Sequence, residues 1–193
     1  MALNRDPECG LDLSHRDSLF ASLAPGGIGV EIGVDWGDYS QRIMELAKPR
    51  LLYLVDFWEN QPPEAIGHDP ANSQQDVKYW QCLQRYTTDE RYRMVKFKSP
   101  EIASVFPDGY FDWIFEDSNH LLAYEHAVAW WPKLRSGGLY LAHDFCDAGD
   151  TNGRVGDYIT VREDLERWAA EYKQKYWVTR DDGTYKCFVT RKP

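Results

Sequence analysis

Short apolar runs, each followed by a helical or polar stretch, constrain this chain more than any other feature. Ile28–Ile32, Phe111–Glu116 and the segments 51–55, 93–97 and 139–142 all have the length of a buried strand. Helical stretches alternate with them. Residues 40–47 place Ile43, Met44, Leu46 and Ala47 on one face and stop before Pro49, and further helices are expected over 100–105, 121–134 and 161–172. A helix over 15–24 precedes the first strand and ends at Pro25-Gly26-Gly27. Such alternation predicts a mostly parallel sheet covered on both faces. The end of the chain differs. Segments 176–179 and 185–190 flank Asp181-Asp182-Gly183-Thr184, a hairpin signal in which the Asp-Gly pair supplies positive φ. The expectation is therefore an α/β fold, a Rossmann-like three-layer sandwich, whose seven-stranded, mostly parallel sheet ends in an antiparallel C-terminal strand. The 193 residues suit a single domain over 1–193.

One segment breaks the rhythm. Residues 59–75 are polar, carry Pro62, Pro63, Gly67 and Pro70, and show no period. They follow the second strand, at the carboxyl edge where such sheets bind ligands, and are read as a lid.

The net charge of −9 and the lack of any Lys/Arg stripe disfavour a nucleic-acid substrate. No apolar stretch approaches the 18 residues or more that a membrane span needs, and no signal-peptide pattern opens the chain. Cys9, Cys82, Cys146 and Cys187 form no CxxC pair and no zinc spacing, and read as reduced thiols of a cytoplasmic protein. Aromatic residues such as Trp130 and Trp131, read as exposed, leave room for a homo-oligomer.

The stretch Val30 to Ser40 carries the first chemistry. Gly33 and Gly37 lie between a strand and a helix, where a cofactor can approach the backbone and the helix offers free N–H groups. Asp56 closes the second strand 23 residues after Gly33, placed to accept hydrogen bonds from ribose hydroxyls. The pattern alone separates neither nicotinamide from S-adenosylmethionine nor an enzyme from a non-catalytic binding module. The GxxxG spacing and the bulky Trp36 argue against a pyrophosphate, and so against a nicotinamide-dependent oxidoreductase.

Glu31-Ile32-Gly33 with Gly37 and Ser40 resembles motif I of the class I S-adenosylmethionine-dependent methyltransferases, most closely the catechol-type and macrolide-sugar O-methyltransferase branch. Tyr53-Leu54-Val55-Asp56 and the blocks 111–120 and 134–144 match further motifs in order. The resemblance covers roughly residues 15–145. It implies that Glu31, Gly33, Val34, Trp36, Gly37 and Ser40 surround the methionine part, that Asp56 holds the ribose, and that Ser99 lies at the adenine, with Phe57 or Trp58 stacking on it. Asp117 is expected at the cofactor as well.

Asp117 and His120 lie just past the fourth strand, and His143 and Asp144 at the end of the fifth. Neighbouring parallel strands deliver these four groups to one crevice. The methyl donor is already activated, so the enzyme must align an acceptor and remove its proton. A histidine base or a divalent cation serves that end. The resemblance implies that Asp117 binds magnesium and that His120 is the base, with His143 as a further catalytic candidate. It departs from the catechol-type pattern at His143-Asp144, where an Asp-Asn pair is usual. Asp117, Asp144 and His143 are accordingly the candidate metal ligands, and a histidine among them points to a softer ion or to none; alternatively Asp117 and Asp144 bind the ion and His143 contacts the substrate. The expected acceptor is a small hydroxylated molecule such as a sugar or natural product, bound by the lid and the segment 145–158. His15, His68 and His126 are given no catalytic part, His126 being read as an exposed helix residue.

Overall fold

The structure is a computed structural model that describes residues 5–60, 74–146, 160–180 and 185–193. The elements run α1 (Arg16–Ala21), β1 (Ile28–Ile32), α2 (Asp38–Ala47), β2 (Leu51–Asp56), α3 (Gln75–Tyr86) and β3 (Tyr92–Lys96). A 3₁₀ turn (Glu101–Val105) precedes β4 (Phe111–Glu116) and α4 (Ala123–Trp130). Then follow β5 (Leu134–Phe145), α5 (Val161–Glu171), β6 (Tyr176–Val178) and β7 (Lys186–Arg191). The seven strands form one sheet in the order β3-β2-β1-β4-β5-β7-β6. The first five strands in that order are parallel, and β7 is antiparallel to both its neighbours, as the alternation and the terminal hairpin predict.

Side-chain alternation along the strands divides the core into two layers. Val30, Ile32, Ile114, Tyr140 and Ala142 point into one, which is closed by Trp130 of α4 and by Leu165 and Trp168 of α5. Leu52, Leu54, Trp113, Phe115 and Leu141 point into the other, closed by Phe20, Ile43, Met44 and Tyr86 from α1, α2 and α3. β1 is buried along its whole length, as the central strand of a sheet covered on both sides must be. Strand order reverses at β1: β2 lies on one side of it and β4 on the other. The carboxyl ends of β1 and β4 therefore open a crevice, the place where such sheets take ligands.

Several boundaries differ from the sequence reading. The helix expected over 121–134 ends at Trp130, because Pro132 cannot continue it, and a 3₁₀ turn (Trp131–Lys133) carries the chain into β5. Ser136-Gly137-Gly138 is thus part of a long strand with a register shift against β4, not a helix stop. The Lys192 ammonium donates to the carbonyls of Trp131, Pro132 and Leu134 at this junction. α3 was not anticipated, since 74–92 carries no clean apolar period; it packs through Cys82 and Tyr86. Trp130 and Trp131 are buried, 0% and 8% exposed, so they belong to the core and give no support to an oligomer interface.

Most of the 59–75 segment (61–73), the stretch 147–159 and the hairpin turn 181–184 lie outside the described residues, and with them the expected lid and most of the expected acceptor segment. No helix among the described residues is long and apolar enough to cross a membrane.

Candidate active site

The first strand-to-helix turn is locked by the strand end across the crevice. The Asp117 amide donates to the Ile32 carbonyl at 2.8 Å. Gly33 adopts φ +86°, and a Cβ there would lie far inside van der Waals contact distance of the Asp117 carbonyl oxygen. Only glycine permits both the backbone angle and the approach. Gly37, at φ +77°, caps α2 with no side-chain hydrogen bond of its own. Its carbonyl accepts from the Tyr86 hydroxyl, so α3 braces the turn from outside. Lys78, also on α3, pairs with Asp35 in the same turn.

Beneath the turn, Glu31 is 2% exposed and accepts a hydrogen bond from the buried Ser40 hydroxyl. Burial pushes the Glu31 carboxyl up to about 8, with the Ser40 bond opposing. Ser40 therefore supports the turn from below rather than facing a ligand, because the first turn of α2 aims it inward.

Asp56 sits where an acid for ribose is expected, and it also ties the turn together. Its Oδ2 accepts the Val34 and Asp35 amides at 2.8 and 2.9 Å, and its Oδ1 the Trp58 amide at 2.9 Å. Burial raises its pKa and these three amide bonds pull against that. A carboxylate has about four acceptor sites, so one remains on Oδ1 for a hydroxyl. Trp58 is 1% exposed, donates its indole N–H to the Asp35 carbonyl and packs on Tyr79. It is walled off from any stacking role, whereas Phe57 is half-buried at the same strand end. Ser99, past β3, accepts from the Trp130 indole at 3.0 Å and keeps its own hydroxyl proton to donate. Trp36 is half-buried, with the Lys78 ammonium 5.5 Å from its ring.

The acids and histidines of β4 and β5 do converge. His120 Nε2 lies 2.7 Å from Asp144 Oδ2. His143 Nδ1 is 3.2 Å from Asp117 Oδ1 and 3.1 Å from Asp144 Oδ1. Asp144 holds φ +54°, a left-handed conformation that Asp tolerates better than most residues. Burial lowers both imidazole pKa values, but the Asp partners outweigh it. His120 is raised by its bond to Asp144, and His143 is pushed up to about 10 by Asp117 and Asp144 together. Burial works against the charged form of Asp144, yet the two histidines hold it well below the usual carboxylate range. Asp117, His120 and Asp144 each offer one ligand atom, and these atoms lie within 4.8 Å of one another. This grouping includes His120 where the sequence suggests His143; His143 hydrogen-bonds the two carboxylates.

Two features at the site had no signal in the sequence. His126 is fully buried, not exposed, because α4 turns it toward the sheet; its Nδ1 lies 2.9 Å from Glu116 Oε1. Glu116 also accepts from the Ser118 amide and hydroxyl, and these partners lower its pKa against the opposing effect of burial. The carboxylate thus fixes both residues that bracket Asp117. Arg16, at the start of α1, lies with its guanidinium carbon 3.9 Å over the Tyr39 ring and Nη1 3.9 Å from Asp117 Oδ2.

The model of a family described as "Methyltransferase domain" matches residues 30–145, more than half of the chain. A comparison with curated protein sequences finds no match. Solved structures share the fold at low identity. A candidate caffeoyl-CoA O-methyltransferase from Staphylococcus aureus is 15% identical, with TM-score 0.61 over 85% of this chain and 75% of that one. Fibrillarin from Aeropyrum pernix, solved with natively bound S-adenosyl-L-methionine, is 13% identical, with TM-score 0.59 over 86% and 67%. Spermidine synthase from Thermotoga maritima is 16% identical, with TM-score 0.59 over 93% of this chain and 58% of its own. Matched by that family model from the glycine turn through His143 and Asp144, the chain belongs to the methyltransferase-domain family and is a class I S-adenosylmethionine-dependent methyltransferase.

Proposed function

We propose that the protein transfers a methyl group to a hydroxyl oxygen of a small molecule such as a sugar or natural product. The observation that carries this reading is the meeting of Asp117, His120, His143 and Asp144 at the ends of β4 and β5, directly against the Gly33 turn. S-adenosylmethionine supplies a methyl on a sulfonium, already activated for in-line displacement. The Gly33 turn and Asp56 hold it, with Ser99 and Phe57 toward the adenine. The chain's remaining task is to orient the acceptor and accept its proton. His120 serves as the base, oriented by Asp144. His143, with its pKa near 10, stays cationic at neutral pH and balances the two carboxylates. An acidic chain without a basic stripe suits a small acceptor better than a nucleic acid. Four buried, unbridged thiols suit the cytoplasm.

A second reading is favoured by the donor set itself. Asp117, His120 and Asp144 fit a divalent cation, magnesium or a softer ion, and His120 would then be a ligand. Such an ion lowers the pKa of a hydroxyl that it holds.

The test is transfer of labelled methyl from S-adenosylmethionine to a panel of hydroxylated acceptors, with and without a chelator. His120→Asn is expected to lower kcat by about 10²–10⁴-fold while S-adenosylhomocysteine still binds. Chelator-insensitive turnover leaves His120 as base, and chelator-sensitive turnover favours the cation. Tight S-adenosylhomocysteine binding with full His120→Asn activity would overturn both readings.

A further inference from the structure

We propose that Arg16 binds the α-carboxylate of the cofactor's methionine part, an inference that rests on the assignment of S-adenosylmethionine to the Gly33 turn. The guanidinium is seated between two elements that build the turn. Its Cζ lies 3.9 Å over the ring of Tyr39, in the first turn of α2, and its Nη1 is 3.9 Å from Asp117 at the end of β4. Asp117 in turn touches Gly33 through its backbone. At 3.9 Å the Asp117 contact is Coulombic rather than a hydrogen bond.

Charge balance gives this position its meaning. The cofactor brings two positive groups, the sulfonium and the α-ammonium, and one negative group, the carboxylate. Around the turn the protein presents the carboxylates of Asp35, Asp56 and Asp117, which suit the positive groups and repel the negative one. Lys78 is already paired with Asp35. Among the described residues Arg16 is the cation placed against both Tyr39 of α2 and Asp117, and its field extends to the buried Glu31. Its planar fork matches a carboxylate with two parallel hydrogen bonds. Packing on the Tyr39 ring restricts the side chain beforehand, and its side chain is only 25% exposed, so water screens the pair weakly. The amino end of α2, where Gly37 provides no side-chain cap, adds its positive end to the same region.

The experiment compares two probes by calorimetry on the full chain. S-adenosylhomocysteine carries the carboxylate; S-adenosyl-3-thiopropylamine keeps the thioether and ammonium but lacks it. The wild type is expected to prefer S-adenosylhomocysteine by at least about tenfold. Arg16→Gln should abolish that preference by weakening S-adenosylhomocysteine alone, and Arg16→Lys should restore part of it. Equal affinity of the wild type for both probes would overturn the inference. So would an Arg16→Gln variant that weakens both probes alike, the mark of a structural role, or one that retains the preference. Failure of both probes to bind the wild type would instead remove the cofactor assignment, and the inference with it.

Discussion

Glu31→Gln isolates the cost of holding an acid beneath the glycine turn. The Glu31 carboxyl is raised from 4.5 to about 8 by burial. A carboxyl whose folded-state pKa lies above its unfolded value contributes stability in its protonated form. That contribution is complete below the unfolded pKa and is lost as pH rises toward the folded one. With one pKa unit worth about 1.4 kcal/mol, the loss between about pH 5 and pH 7 comes to about 2.5 kcal/mol. In a domain of this size that is a fall in Tm of about 5–10 °C. Glutamine keeps the shape and can still accept from the Ser40 hydroxyl, but it does not titrate. Thermal melts of the wild type and Glu31→Gln at half-unit steps from pH 5 to 8 should therefore diverge, with the variant gaining on the wild type as pH rises. Parallel curves would refute the claim that the buried carboxyl is protonated in the folded state. Other titrating groups cancel in the difference between the two proteins.

Further expectations follow from the same geometry. Gly33→Ala places a Cβ against the Asp117 carbonyl at φ +86°, and should cost at least about 3 kcal/mol in urea unfolding; a loss below 1 kcal/mol would mean that the two strand ends separate easily. His126→Ala leaves the buried Glu116 carboxyl without its imidazole hydrogen-bond partner, an expected loss of about 1–3 kcal/mol by the same assay. Asp144→Asn removes a carboxylate shared by His120 and His143, so NMR titration should show both imidazoles with lowered pKa values; an unmoved His143, near 10 in the wild type, would show that Asp117 alone holds it charged.

The parts of this protein legible in its sequence are those governed by local pattern. The run Ile28–Ile32 with Gly33 and Gly37 announces a strand, a tight turn and a helix because each step leaves a residue-type signature. The strand ends carrying Asp117 and His143-Asp144 are legible for the same reason, and parallel topology then brings them together. What was not legible depends on orientation about an element's axis or on partners distant in sequence. His126 looks like a surface histidine until α4 is rotated onto the sheet and Glu116 is found beneath it. Ser40 has the residue type of a ligand contact, yet the pitch of α2 turns it toward Glu31. That His143 touches both carboxylates while His120 touches Asp144 is a matter of side-chain reach, which spacing does not encode. Arg16 lies 101 positions before Asp117 in sequence, and nothing near it marks the meeting.

The strand order β5-β7-β6 has a consequence for how the chain is made. β7 follows β6 in the chain, yet it lies between β5 and β6 in the sheet. Until residues 186–191 emerge, β5 presents a bare row of amides and carbonyls along one side, and β6 has no neighbour to join. The cofactor end of the molecule, built from β1, β2 and β4, can assemble while the other margin still waits. Nascent chains stalled before residue 186 should therefore display an unpaired, sticky margin and recruit chaperones. The residues that follow pair that margin and bring Lys192 back to the carbonyls where β5 begins.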